Sequence, residues 1–166
     1  SVVAGLVLYS FARTISVRLL FQNDARSAAS EFLAELPPAD SIEYTLYPPT
    51  LVRSKFERAH NYPLFIIRNK DQVIPEGKIY AYNTGEVGIE ERGTQLLVVD
   101  SFTYERFRDA YICEINPVEC EFFTRLLAGE THYQEIAAFH YELPDWLPEW
   151  HLSFMNPDIR IFERVE

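Results

Sequence analysis

The sequence predicts an α/β fold, a mixed β-sheet flanked by helices and preceded by the end of a transmembrane helix. Three observations lead to this prediction: an apolar run over residues 1–12, a helix-then-strand pattern over residues 24–47, and an aliphatic strand signal at residues 96–99. With 166 residues, 48% of them apolar, the chain is long enough for one domain with a hydrophobic core. We therefore divide it into residues 1–22, the end of a membrane helix with a juxtamembrane segment, and residues 23–166, a soluble extracytoplasmic α/β domain.

The apolar run that opens the sequence has more than one interpretation. It extends from Ser1 to Ala12 before Arg13, whereas a complete membrane span needs about 20 residues. A signal peptide would carry a basic leader, which this run lacks. A buried helix of a soluble domain is common at this length, but the run leaves almost no polar face. We favour the end of a truncated membrane span and keep the buried helix as the alternative.

The first half of the domain alternates helix and strand. Residues 24–36 place apolar side chains at helical spacing behind a cap at Asn23 or Asp24, and residues 41–47 alternate as a half-buried strand. Residues 50–63 are ambiguous between a short exposed helix and a turn. Apolar or alternating runs at residues 64–67 and 78–82 predict two further strands. The turn-rich stretch with Gly85 and Gly88 is not followed by a helical pattern, so it is not a dinucleotide-binding fingerprint.

The second half contains a well-marked helix and two alternating strands. Asn116 is the expected cap of this helix, Glu119 is placed to complete a capping box, and Gly129 is expected to end it. Residues 132–141 and 158–164 then alternate as strands, with a loop rich in tryptophan and proline between them.

The best local candidates for a binding site follow the strongest strand signal, Leu96 to Val99. Ligands of open α/β sheets bind beyond the carboxyl ends of the strands, and this position holds the candidate ligand-binding residues Asp100, Ser101, Tyr104 and Arg106. The alternative is a helix cap with a nearby ion pair, because Asp and Ser are preferred there for capping alone. Ser101 lacks the Gly-x-Ser-x-Gly elbow of a hydrolase, so we predict no catalytic residue.

Composition and motifs exclude several classes of function. The sequence has no Gly-rich phosphate loop, no Cys-x-x-Cys and no His-Glu-x-x-His, and its four histidines are dispersed. We therefore predict no metal site and no cofactor in this chain. A net charge of −10 argues against a nucleic-acid partner, which would require clustered Lys and Arg.

The two cysteines leave two alternatives open. Cys113 and Cys120 flank the start of the helix that Asn116 caps. They could form a disulfide in an oxidising compartment or remain two buried thiols.

The positions of two aromatic segments also leave two alternatives open. Residues 47–49 and the segment from Trp146 to Trp150 could lie against lipid headgroups, where Trp and Tyr are favoured, or pack on the domain itself.

Several segments in order resemble a known family. They are the apolar helix end, Asp24 to Leu33, Leu97 to Phe107, the helix at residues 121–129, and the ending at residues 156–164. Together they resemble the C-terminal extracytoplasmic domain of bacterial multi-spanning glycosyltransferases of the protein-mannosyltransferase and aminoarabinose-transferase type. The departures are the two cysteines and the long tryptophan-bearing insertion before the last strand.

The resemblance implies a membrane enzyme that transfers a sugar from a polyprenyl-phosphate donor to a lipid, glycan or protein acceptor. In that family the catalytic acidic residues lie in an extracytoplasmic loop near the N-terminus, which is absent here, so this chain is expected to be non-catalytic. Any divalent metal would lie in the absent membrane part. The implied partners are that membrane part, lipid headgroups, and the polyprenyl-phosphate sugar or acceptor, with this domain on the extracytoplasmic side of the cell membrane. The alternative function is a self-contained soluble α/β ligand-binding module without enzymatic activity.

Overall fold

The chain folds as a mixed five-stranded sheet flanked by helices, in agreement with the predicted α/β class. The structure is a computed structural model and describes residues 2–148 and 155–165. Two short 3₁₀ turns, Arg53–Lys55 and Glu105–Arg108, accompany the regular elements. In chain order, the helices and strands of the described residues are α1 Val2–Gln22, α2 Ala25–Glu35, β1 Ala39–Tyr44, β2 Phe56–His60, α3 Gly85–Glu91, β3 Leu96–Asp100, α4 Ser101–Tyr104, α5 Ala110–Ile115, α6 Pro117–Ala128, β4 Tyr133–Phe139 and β5 Ile159–Arg164.

The sheet has the strand order β2-β1-β3-β5-β4. The first three strands in this order are parallel, and β5 runs antiparallel to both β3 and β4. All five residues of β3 are buried, as expected for a central strand covered on both faces.

Each face of the sheet has its own hydrophobic core. Successive side chains of a strand point to opposite faces, so Leu97 and Val99 belong to one core and Leu96 and Val98 to the other. The first core contains α3, α4 and α6 residues, with Ile89, Tyr104, Phe122, Phe123 and Leu126 among them. The second is covered by α2 through Ala25, Ala29 and Leu33.

The N-terminal helix α1 is longer than the apolar run in the sequence. It continues through Arg13 and Arg18 to Gln22, 21 residues in all, and is long and apolar enough to span a membrane by length and composition. Its first half exposes large apolar side chains, while Ser16 in its second half is fully buried. Only two residues, Asn23 and Asp24, separate α1 from α2.

Three sequence predictions between β1 and β3 are wrong. Residues 64–67 and 78–82 form no strands, and residues 56–60 form strand β2, where a short helix or a turn had been predicted. Several apolar side chains of these runs are buried or partly buried, for example Ile66 and Tyr82 against the α6 side of the sheet, although Ile79 is exposed. The apolar pattern therefore indicated buried side chains and did not indicate the backbone pairing of a strand.

The start of α6 also differs from the prediction. Asn116 occupies the cap position but makes no side-chain cap hydrogen bond. Its backbone N–H donates to the carbonyl of Ile112 at 2.9 Å, so the end of α5 already uses the group that Glu119 was predicted to bind. The predicted end is confirmed, because Gly129 adopts φ 72°, ψ 27° after the last turn, a left-handed conformation that glycine adopts without strain.

Candidate functional site

Asp100 lies at the switch point of the sheet, where the chain leaves β1 towards one edge and β3 towards the other. Its fully buried carboxylate accepts four hydrogen bonds from its own chain: the Thr103 N–H at 3.0 Å, the Thr103 hydroxyl at 3.1 Å, the Tyr47 N–H at 3.3 Å, and the Thr45 hydroxyl. Thr45 Oγ1 in turn accepts the Asp100 N–H at 2.9 Å. These bonds join the ends of β1 and β3 and cap α4.

The other three predicted site residues are also engaged in the fold. Ser101 Oγ accepts the Asp158 N–H at 3.0 Å, and Arg106 Nε donates to the carbonyl of Phe102 at 2.7 Å. Tyr104 is 3% exposed, and burial raises the pKa of its hydroxyl. The four residues are close in sequence, but none of them lines either of the two cavities described below. Their role in ligand binding stays a prediction, and the contacts observed at Asp100 are those of a cap.

Cys113 of α5 and Cys120 of α6 form a disulfide, with a Cα–Cα distance of 5.2 Å. Of the two alternatives that the sequence leaves open, the structure has the bridge. It closes the turn around Asn116 and fixes α5 against α6.

A cavity of about 260 Å³ lies beside the start of α2. Its wall includes Asp24 and Arg26, whose side chains pair with each other, Arg26 Nε lying 2.9 Å from Asp24 Oδ1. Burial opposes ionisation of Asp24, but the hydrogen bonds from Arg26 outweigh it and lower the pKa of the carboxyl group. The two opposite charges therefore compensate each other in this wall.

A larger cavity, of about 570 Å³, lies at the opposite end of the sheet, beside the amino end of β3. Six of its eight lining residues have polar or charged side chains and come from distant parts of the sequence: Asp40, Glu90, Thr94, Gln95, His132 and Arg164.

A cluster of two carboxylates and one imidazole adjoins this larger cavity. Glu86 and Glu90 lie one turn apart on α3, and His132 immediately precedes β4. Nδ1 of His132 is 2.6 Å from Oε1 of Glu90 and 3.5 Å from Oε1 of Glu86. One ligand atom from each of the three side chains lies within 4.8 Å of the others. We call Glu86, Glu90 and His132 the Glu–Glu–His cluster.

Sequence reasoning missed the Glu–Glu–His cluster for two reasons. The stretch from Gly85 was not predicted to be helical, so the spacing of Glu86 and Glu90 did not indicate that their side chains are neighbours on one helix. His132 is separated from Glu90 by 42 residues, and only the fold brings it close. A Glu-x-x-x-Glu pair in a recognised helix would have been the available signal.

Comparison of the chain with models of known families, with curated proteins and with solved structures finds no match.

Proposed function

We propose that this chain is a membrane-tethered, non-catalytic extracytoplasmic domain of a glycosyltransferase that transfers a sugar from a polyprenyl-phosphate donor to a lipid, glycan or protein acceptor. The order of elements supports the proposal, since an apolar helix leads directly into an α/β domain. The contacts of Asp100 agree with an accessory role, because this carboxylate is satisfied by the chain itself.

The observation that carries the proposal is the exposed apolar surface of α1. At a rise of 1.5 Å per residue, residues 2–12 of α1, the apolar part before Arg13, extend over about 16 Å, about half of the hydrocarbon thickness of a bilayer, about 30 Å. Val2, Leu6 and Phe11 are each more than 60% exposed. Each buried Å² of such surface is worth about 25 cal/mol, so lipid is a far better environment for this surface than water.

The disulfide supports an extracytoplasmic position. Disulfides persist in oxidising compartments and are rare in the cytosol, and Cys113 and Cys120 are bridged. Arg13 and Arg18 would favour a cytoplasmic position by the positive-inside rule, but that rule has little weight for a domain of this length. We therefore place residues 23–166 outside the cytoplasm.

The tether is tested by membrane fractionation of cells that express residues 1–166 alone. We expect the wild-type protein in the membrane pellet after an alkaline wash, and we expect Leu6→Lys/Val7→Lys to be released, since a charged residue costs about 2.5–3.5 kcal/mol at the centre of a span. The matched control is Val73→Lys, which changes an exposed valine outside α1 and should stay in the pellet. A wild-type chain in the soluble fraction would contradict the tether.

The enzymatic part is tested in membranes of the native cells. An in-frame deletion of residues 23–166 should lower the transfer of labelled sugar from a polyprenyl-phosphate donor to the endogenous acceptor, while Asp100→Asn in the full-length chain should spare it if the domain still folds. Unchanged transfer after the deletion would contradict the proposal.

The larger cavity favours the second candidate, a soluble ligand-binding module. This candidate predicts a chain that stays monodisperse without detergent.

A further inference from the structure

We propose that the Glu–Glu–His cluster is a binding site for a divalent transition-metal ion, with Zn²⁺ as the ion that fits it best. The proposal rests on residues that the glycosyltransferase proposal does not use. Two carboxylate oxygens from α3 and one imidazole nitrogen from the residue before β4 lie within 4.8 Å of one another beside the larger cavity.

The contact between Nδ1 of His132 and Oε1 of Glu90 is a hydrogen bond in which Nδ1 donates, so a bound ion would replace the proton on Nδ1. Around a tetrahedral zinc ion, with bonds of about 2.0–2.2 Å, neighbouring ligand atoms lie about 3.3 Å apart. The Nδ1 atom of His132 now lies 2.6 Å from one glutamate oxygen and 3.5 Å from the other. Small side-chain rotations would place all three at bonding distance, and His132, which is 70% exposed, is free to make them.

Glu86 is already held in place by outer partners. Its side chain is only 10% exposed, Oε2 lies 3.2 Å from Nη1 of Arg125, and Oε1 accepts the backbone N–H of His132 at 2.6 Å. Hydrogen bonds of this kind orient metal-binding carboxylates in known sites. An ionised carboxylate oxygen can accept more than one bond, so Oε1 keeps a position for the ion.

The donor set and the charge select the class of ion. Two carboxylates and one guanidinium leave a net charge of −1 beside a neutral imidazole. Mg²⁺ and Ca²⁺ prefer sets made only of oxygen, whereas an imidazole ligand favours Zn²⁺ and its transition-metal neighbours. Three protein ligands leave the fourth position to water or an anion, as in catalytic zinc sites, and the adjoining cavity, with Arg164 in its wall, has room for it.

His140 provides a comparison within the same chain. It also contacts two carboxylates, but through opposite ring nitrogens: Nδ1 faces Asp158, and Nε2 lies 3.0 Å from Glu142. No single ion can be bound by both carboxylates and the ring between them. His140→Gln is therefore a matched control, since it makes the same chemical change in an equally acidic setting.

The test is a titration of the full-length chain in detergent micelles, stripped of metal with a chelator, with Zn²⁺ in competition with a chromophoric chelator. We expect one Zn²⁺ site per chain that binds at least about 10-fold more weakly in His132→Gln and Glu90→Gln, because loss of even an outer partner costs 10–100-fold. His140→Gln should bind as the wild type does, and Mg²⁺ should not compete. Circular dichroism establishes that each variant is folded.

Two results would overturn the proposal: a wild-type chain that binds no Zn²⁺, or a folded His132→Gln variant with wild-type affinity. If His132→Gln does not fold, Glu90→Gln decides, since among the described residues the carboxylate of Glu90 bonds only to His132 of the same cluster. Titration of wild type with Co²⁺ gives a further readout. Visible bands of a four-coordinate ion support the site, and the spectrum of hydrated Co²⁺ alone contradicts it.

Discussion

The side chain of Asn116 pairs with the backbone of Ile67 in both directions. Nδ2 donates to the Ile67 carbonyl at 2.8 Å, and Oδ1 accepts the Ile67 N–H at 2.8 Å. The amide group thus does for the segment at residues 64–67 what a neighbouring strand would have done. This explains how Ile67, in an apolar run that was predicted as a strand, can lie outside the sheet with its backbone N–H and carbonyl satisfied.

Asn116→Ala should lower the free energy of unfolding by about 2 kcal/mol, because it leaves both backbone groups of Ile67 unpaired and each unsatisfied group costs about 1–3 kcal/mol. Urea denaturation followed by circular dichroism measures the change. The control is Asn69→Ala, since Asn69 is exposed and bonds only to its own turn, at Asp71. Equal stabilities of the two variants would argue against the pairing with Ile67.

Arg92→Met should destabilise the domain by about 3–5 kcal/mol, the cost of leaving a buried charge without its partner. Nε and Nη2 of Arg92 contact the two oxygens of Glu43 at 2.7 and 2.9 Å, and the side chains are only 14% and 5% exposed. The double variant Glu43→Gln/Arg92→Met should recover part of the loss. Lys70→Met breaks the exposed pair with Glu114, at 2.6 Å, and should cost less than about 1 kcal/mol. A loss from Arg92→Met as small as that from Lys70→Met would contradict this account.

Glu119→Gln should stabilise the protein at neutral pH, by about 0.5–2 kcal/mol, in the range of other single stabilising changes. Burial raises the pKa of the Glu119 carboxyl group. A raised folded-state pKa means that the native state binds the proton more tightly than the unfolded chain does, so stability falls as the pH rises through the folded-state pKa. The advantage of the variant should therefore be small at acidic pH and grow towards neutral pH.

Thermal unfolding of the wild type and Glu119→Gln from pH 4 to pH 8 measures this difference. Glu121→Gln is the control, since Glu121 lies on the same helix but is exposed. A stability difference between Glu119→Gln and wild type that does not vary with pH would count against the burial of a charged carboxylate.

Loss of the disulfide should lower stability by about 2.5 kcal/mol, the loop-closure estimate for a bridge between residues seven positions apart. Both reduction of the native protein and the double variant Cys113→Ala/Cys120→Ala should show this loss as a lower melting temperature. Reductant should leave the double variant unchanged. If reductant does not change the melting temperature of the native protein, the bridge contributes nothing to its stability.

The sequence correctly predicted those elements whose local pattern, such as a cap residue or an aliphatic run, matches their position in the fold. Asp24 caps α2 through the Arg26 N–H, as its position before a periodic run indicated, and residues 96–99 form the buried central strand. The strands predicted within residues 61–84 are wrong because Tyr82 is buried against Phe122 and Phe123 of α6, and Ile66 packs against the same core, contacts that no local pattern encodes. Of the predicted loop before β5, Trp150 lies outside the described residues, whereas Trp146 is 74% exposed.

The candidate site was predictable only in part. The sequence predicted that candidate site residues follow the carboxyl end of β3, but two of the four donors to Asp100 come from Thr45 and Tyr47, more than 50 residues earlier. The Glu–Glu–His cluster depends on α3, which the sequence did not indicate. In both cases the contacts join segments that are distant in sequence. The periodicity of a single segment gives no information about such contacts.

The connection of two residues between α1 and α2 has a mechanical consequence. Asn23 is bonded back to α1, its N–H donating to the Leu19 carbonyl at 3.0 Å, and the first N–H of α2, at Ala25, donates to Asn156 Oδ1 at 2.8 Å, just before β5. So short a connection keeps the start of the domain close to the end of α1. If α1 is embedded in a bilayer, the domain stays near the lipid surface and cannot move away from it as it could on a long tether.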